Sequence, residues 1–97
     1  MRLRYTIPAL ADLEAILDYV AGQSPRSATR VHARIQRMAS LLPSFPNIGV
    51  RTNDPTIRRL ATPPYPYLIF YERTDEEVIV HAIRHAARNP SDMPGSG

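Results

Sequence analysis

Four basic residues have the clearest capacity for chemistry in this sequence. Arg84, His85 and Arg88 follow a run of β-forming residues near the end of the chain, and Arg58 lies in an earlier run of the same kind. If these two runs flank a third strand, the four side chains should lie near one another. Guanidinium groups form paired hydrogen bonds with carboxylates and phosphates. Two interpretations remain open: a site that grips an anion, or arginines lining the polar rim of a sheet.

Metal binding and hydrolysis are not predicted. His81 and His85 have the four-residue spacing of a metal pair on a helix, but in a strand four residues span about 13 Å. Zinc needs each ligand nitrogen at about 2.1 Å, and the chain contains no cysteine. The sequence does not suggest a cleft shared by a serine, a histidine and a carboxylate, or by a pair of carboxylates. We therefore predict no catalytic residue, no metal and no cofactor.

Four arginines recur at near-helical spacing in the first half of the chain: Arg26, Arg30, Arg34 and Arg37. Such a ridge could follow a phosphate backbone. The favoured interpretation is a solvated helix face that forms weak pairs with acidic residues of the preceding helix, namely Asp12, Glu14 and Asp18. His32, between these arginines, is predicted to lie on the surface.

The elements that position these groups centre on a β-hairpin over residues 67–88. Valine, isoleucine, tyrosine and phenylalanine dominate its two runs, and an acidic cluster at 74–77 separates them. Alternation places Tyr67, Ile69 and Tyr71 on one face, with Leu68 and Phe70 on the other. Neither face is polar, so both need a cover.

The rest of the chain predicts two helices and two further strands. Residues 2–6 and 56–62 read as strands, and apolar residues at three- and four-residue steps predict helices over about 10–22 and 25–42. The proline-rich stretch 43–55 is predicted to be a loop. The expected fold is α+β, in the order β-α-α-β-β-β, with a helical hairpin packed on one face of a small antiparallel sheet. A partner protein is favoured as the cover of the second face, and the alternative is the long loop and the tail.

Length and composition predict a single domain over residues 1–89 and a flexible C-terminal tail over 90–97. The net charge is +3, and all twelve basic residues other than histidine are arginine, which arginine-biased codon usage would also explain. No apolar run reaches about 18 residues, and no signal-peptide pattern is present, so we expect a cytoplasmic protein without a membrane segment.

An ordered set of residues resembles the ParE/RelE family of toxins from bacterial type II toxin-antitoxin systems over residues 2 to 90. The set comprises Tyr5 with Pro8, Ala11-Asp12-Leu13 with Ile16 and Tyr19, Pro25 with Ala28, Pro46 with Gly49, Arg58 with Leu60, the run Tyr65 to Tyr71, and the run Ile83 to Pro90. The resemblance implies the same order of elements. It also implies an antitoxin as partner in a hetero-oligomer, with Leu68 and Phe70 in its groove and Arg58, Arg84, His85 and Arg88 in contact with target or partner.

The family has two mechanisms. RelE-like members cut mRNA in the ribosomal A site, whereas ParE-like members inhibit DNA gyrase by stabilising its broken-DNA complex. RNA-cutting members resembling this chain place an arginine in the middle strand and proton-transferring residues after the last strand, at positions that align with Leu68, Ala86 and Ala87. This pattern favours a gyrase inhibitor that is not an enzyme, and the alternative is an mRNA endonuclease acting on the ribosome.

Overall fold

The fold consists of two helices packed on a five-stranded sheet, which confirms the predicted α+β class. The computed structural model describes residues 1–87. The predicted tail and Arg88 lie outside this range. The elements are β1 (Arg2–Tyr5), α1 (Ile7–Gln23), α2 (Pro25–Leu41), β2 (Val50–Arg51), β3 (Ile57–Thr62), β4 (Tyr65–Arg73) and β5 (Glu77–His85).

Two hydroxyl caps set where the helices begin. The Thr6 hydroxyl accepts a hydrogen bond from the Ala9 amide, so α1 starts three residues earlier than its apolar stripe predicts. The Ser24 hydroxyl accepts from the Ser27 amide, and Pro25 occupies the first turn of α2, as predicted. Ser24 alone separates the two helices, which keeps them paired as a hairpin.

The strand order is β1-β5-β4-β3-β2, so the predicted hairpin of β4 and β5 lies at the centre. The sheet differs from the predicted antiparallel one because β1 pairs with β5 in parallel. Strand direction is a tertiary property that the local pattern of β1 does not contain. The predicted loop also contains a strand of two residues, β2, which extends the sheet by pairing with β3.

The main core lies between the helices and one face of the sheet. Tyr67, Ile69 and Tyr71 of β4 pack there with Val78, Val80 and Ile83 of β5, and α2 contributes Val31, Ile35 and Ala39, followed by Leu42. A bulge between Phe70 and Tyr71 in the pairing of β4 with β5 keeps both sets on this face. The predicted alternation along β4 is confirmed.

The second face of the sheet is less exposed than the sequence predicts. Phe70 is only 1% exposed and is buried with Ile57 and Ala82, while Leu68 is half-buried beside them. The apolar area is small, because one cross-strand neighbour of Phe70 is the charged Arg59 and the other is the small Ala82. That this face takes a partner therefore stays a prediction.

Larger apolar side chains are exposed elsewhere: Ile7 and Leu10 on α1, and Phe45, Ile48 and Val50 between α2 and β3. Within residues 1–87, neither helix is long and apolar enough to cross a membrane.

Candidate functional site

The end of β5 is organised by a carboxylate from α1. β1 pairs with β5 only as far as Val80, which leaves the edge of β5 unpaired beyond that point. Asp12 occupies this edge: one carboxylate oxygen accepts from the Ile83 amide at 3.0 Å, and the other accepts from Arg84 Nη1 at 2.7 Å. Asp12 was predicted to pair across the helical hairpin, and that prediction is wrong because the open strand edge offers an amide and a guanidinium together.

Arg84 is therefore held in place. Its side chain is 37% exposed and that of Asp12 is 17% exposed, so the ion pair is only partly screened by water. The Nε of Arg84 is buried and has no hydrogen-bond partner among residues 1–87. One edge of the guanidinium thus binds Asp12, and the remaining exposed part faces solvent at the end of the strand.

His85 lies next to Arg84 on the opposite face of β5. Its ring meets that of Tyr67 edge to face, with centroids 5.5 Å apart and planes at 88°. Its Nδ1 accepts a hydrogen bond from the Ala87 amide at 3.1 Å, which in the neutral ring places the proton on Nε2. These contacts orient the imidazole at the start of the turn that leads out of the sheet.

Arg58 does not join this cluster. It is the cross-strand neighbour of Tyr71, whereas Arg84 is the neighbour of Leu68, so the two arginines align with β4 positions three residues apart and on opposite faces. Arg58 Nη1 instead donates to the carbonyl oxygens of Gly49, at 2.9 Å, and Asn47, at 3.4 Å. Its visible role is to fasten the loop after α2, and the prediction that it lies near Arg84 is wrong.

The same loop is held by Tyr71. The Tyr71 hydroxyl accepts from the Gly49 amide at 2.9 Å and donates to the Pro46 carbonyl at 2.8 Å. Burial raises the pKa of Tyr71, so the phenol stays protonated and able to donate. This contact was not predicted from the sequence. Its only signal there is a tyrosine in a strand and a glycine in a proline-rich loop, which does not show that the two residues meet.

The two strand histidines have separate partners. His81 Nε2 lies 2.9 Å from a carboxylate oxygen of Glu72, while His85 contacts Tyr67. Both histidines lie on β5, as predicted. In the part of the chain that the structure describes, no three histidine or acidic side chains are grouped so as to hold a metal ion.

The arginines of α2 line an open groove. Arg30, Arg34 and Arg37 surround a volume of about 460 Å³ together with Ala33, Pro64 and Tyr65. Arg34 Nε donates to the Pro63 carbonyl at 2.6 Å. The ion pairs within residues 1–87 do not include any α2 arginine, so the predicted pairing with α1 is absent there.

The helical hairpin, the small mixed sheet and the basic end of β5 describe a small α+β protein. The sequence matches the family described as "ParE toxin of type II toxin-antitoxin system, parDE" over residues 3–90, and the chain belongs to this family.

Relatives and a solved structure agree with this assignment. The chain is 43% identical to "Toxin RelE2" of Caulobacter vibrioides over 84 residues, which cover 87% of this chain and 93% of that protein. It is 33% identical to "Putative toxin Y4kP" of Sinorhizobium fredii over 85 residues, 88% of each chain. A structure described as "Chromosomal ParDE TA system from P. aeruginosa" superposes with a TM-score of 0.75 at 27% identity, covering 88% of this chain and 95% of that one.

Proposed function

We propose that this chain is a toxin that inhibits DNA gyrase and does not itself cut nucleic acid. An RNA-cutting toxin must stabilise charge on a phosphate in transfer and move protons at the 2′-hydroxyl and the leaving oxygen. It therefore needs a cation together with a general acid or base at one place. The resemblance implies that RNA-cutting relatives carry these groups on the middle strand and after the last strand.

The single observation that carries the proposal is the row formed by Leu68 and Arg84 across β4 and β5. Leu68 occupies the position at which the RNA-cutting relatives carry an arginine. Ala86 and Ala87, at the two positions after His85, form the turn that ends the strand. None of these three side chains can hold a charge or transfer a proton.

The nearby polar groups are held by other contacts. Arg84 is bound to Asp12, and the Tyr71 hydroxyl is bound to both Gly49 and Pro46. Arg58 is bound to the loop carbonyls. His85 is oriented by the ring of Tyr67 and the amide of Ala87, and it forms no ion pair with an acidic side chain within residues 1–87. This arrangement suits recognition of a target better than proton transfer.

The alternative function is cleavage of mRNA on the ribosome. The observation that favours it is the name of the relative with 43% identity, "Toxin RelE2". Arg73 or Arg88 would have to supply the missing cation in that case.

Paired assays on the purified chain distinguish the two functions. We expect loss of DNA supercoiling by gyrase and intact mRNA on programmed ribosomes. A-site cleavage with normal gyrase activity would replace the proposal with the alternative.

Arg84→Ala and Arg88→Ala should lower gyrase inhibition, and Arg88→Ala should change the free energy of unfolding by no more than about 0.5 kcal/mol.

The proposed partner is an acidic antitoxin, which would neutralise the toxin in a cytoplasmic hetero-oligomer. The P. aeruginosa relative is part of a ParDE system, and an acidic partner would match the net charge of +3. We place its docking site at the sheet face that carries Leu68 and Phe70, beside Arg84, since arginine-carboxylate pairs give specificity at such surfaces. A chain whose melting temperature does not rise on adding the antitoxin would contradict this assignment.

A further inference from the structure

The α2 groove presents three guanidinium groups at a regular spacing. Arg30, Arg34 and Arg37 lie four and three residues apart, so they share one face of α2 and extend over roughly 10 Å of helix. Tyr65 and Pro64, at the start of β4, form the opposite side of the groove. The groove thus combines repeated positive charge with one aromatic side chain.

The charge of this groove is not neutralised within the described part of the chain. Ion pairs there join Arg4 to Glu77, His81 to Glu72, and Arg84 to Asp12. Arg34 donates only its Nε to Pro63, so the bond orients the guanidinium and leaves its two outer nitrogens for another acceptor. The groove therefore has the donors for an anionic ligand and holds one of them in position.

We propose that the α2 groove binds the phosphate backbone of a nucleic-acid strand. In such a strand every unit carries one phosphate and one base, which matches cations repeated at about one per helical turn beside an aromatic ring. Arginine forks bind phosphate oxygens in pairs, and the ring of Tyr65 offers a surface on which a base can stack. An acidic peptide would supply carboxylates for the arginines but no base for the ring of Tyr65. Pro64 and Tyr65 directly precede Pro66, whose carbonyl oxygen accepts a hydrogen bond from the Ala86 amide at 2.8 Å, so the groove adjoins the end of β5. Binding of nucleic acid there is an activity beyond the proposed gyrase inhibition, which needs no such contact.

The test measures binding of the full chain to a fluorescently labelled single-stranded DNA by anisotropy, with an RNA of the same sequence and a duplex as parallel probes. Three phosphate contacts should give a slope of about −2 in log affinity against log salt concentration for a single strand. The variant R30Q/R34Q/R37Q should lower affinity at least about tenfold at 50 mM salt and remove most of that slope. Tyr65→Ala should also weaken binding, and Tyr65→Phe should not.

A matched control separates the groove from net charge. R2Q/R51Q/R73Q removes three exposed arginines elsewhere and lowers the formal charge from +3 to zero, as the groove variant does. We expect it to keep the affinity within about threefold. If R34Q destabilises the fold, R30Q/R37Q, which leaves the contact with Pro63 intact, should still weaken binding.

Three results would overturn the proposal. They are equal weakening by the groove variant and the control, no saturable binding to any of the nucleic acids, and tighter binding of polyglutamate than of DNA. The last result would assign the groove to an acidic protein segment instead. Because the assay contains no gyrase, its failure is distinct from failure of the proposed function.

Discussion

Tyr71 and Gly49 are coupled because the loop passes directly over the tyrosine hydroxyl. A Cβ added at Gly49 would lie 2.6 Å from the Tyr71 hydroxyl oxygen and 2.8 Å from the Arg59 carbonyl oxygen, so no larger residue fits without movement of the loop. Tyr71→Phe leaves the buried Gly49 amide without its acceptor and should lower the free energy of unfolding by about 1–3 kcal/mol. Urea denaturation measures this loss.

The double variant tests the coupling. Gly49→Ala should destabilise less in the Tyr71→Phe background than in the parent, since one of the three close contacts, that with the hydroxyl oxygen, is then gone. The rescue should be partial because the ring Cε1, 2.7 Å from the added Cβ, and the Arg59 carbonyl remain. Strictly additive losses would contradict the coupling.

Asp12 is the second residue whose removal should be costly. Asp12→Ala removes the acceptor of the Ile83 amide and of Arg84, and we expect a loss of about 1–3 kcal/mol in the free energy of unfolding. Glu14→Ala, on the exposed part of the same helix, is the control and should stay within about 0.5 kcal/mol. Equal effects of both variants would show that Asp12 has no special role at the strand edge.

The buried tyrosines predict a loss of stability at alkaline pH. Burial raises the pKa of Tyr5 and of Tyr71 in the folded chain above the value of about 10 in the unfolded chain. The unfolded state then loses these protons first, so the contribution is complete below pH 10 and is lost as the pH rises through the folded pKa values. The fall in stability above pH 10 should be shallower in Tyr71→Phe and shallowest in Tyr5→Phe/Tyr71→Phe, and identical slopes would contradict this account.

At the scale of elements, the sequence predicted those features that depend on residues close together along the chain. The alternation of β4, the helix cap at Ser24 and the apolar stripe of α2 all depend on residues close in sequence. The parallel pairing of β1 and the two residues of β2 were missed, because strand direction and such short pairings depend on distant neighbours.

The candidate site was predicted only in part for the same reason. Arg84 and His85 were expected together because they are adjacent in sequence. Arg58 was expected with them on the condition that β3 and β5 flank β4, which they do. The register, which places Arg58 on the other face, was not predicted. The carboxylate that organises the site, Asp12, comes from a helix, and no strand pattern could indicate it.

Phe70 and Leu68, on the second face of β4, should have different roles, the first in folding and the second in recognition. Phe70→Ala should lower the free energy of unfolding by about 3–5 kcal/mol, because the ring is buried with Ile57 and Ala82. Leu68→Ala, at a half-buried position of the same strand, should cost less stability and should mainly weaken antitoxin binding. Thermal unfolding and titration with the antitoxin measure the two effects. Unchanged antitoxin affinity in Leu68→Ala would move the docking site elsewhere.

In the whole molecule, the arginines fall into groups with different structural roles. Arg58 fastens the loop after α2, and Arg4 and Arg84 pair with carboxylates at the edges of β5. Arg30, Arg34 and Arg37 line a groove without acidic neighbours in the described chain. Arg4 and Arg58 thus help to hold the fold, the α2 arginines are available for partners, and Arg84 does both, since it pairs with Asp12 and remains partly exposed.

Trapping of gyrase on broken DNA is the most direct test of the central claim. Purified toxin is added to gyrase, ATP and plasmid, the reaction is stopped with detergent and protease, and linear DNA is quantified. We expect linear DNA to rise with toxin dose, and no rise when the antitoxin is added first. Fully supercoiled plasmid at large toxin excess, with the same preparation cutting mRNA on ribosomes, would contradict the account.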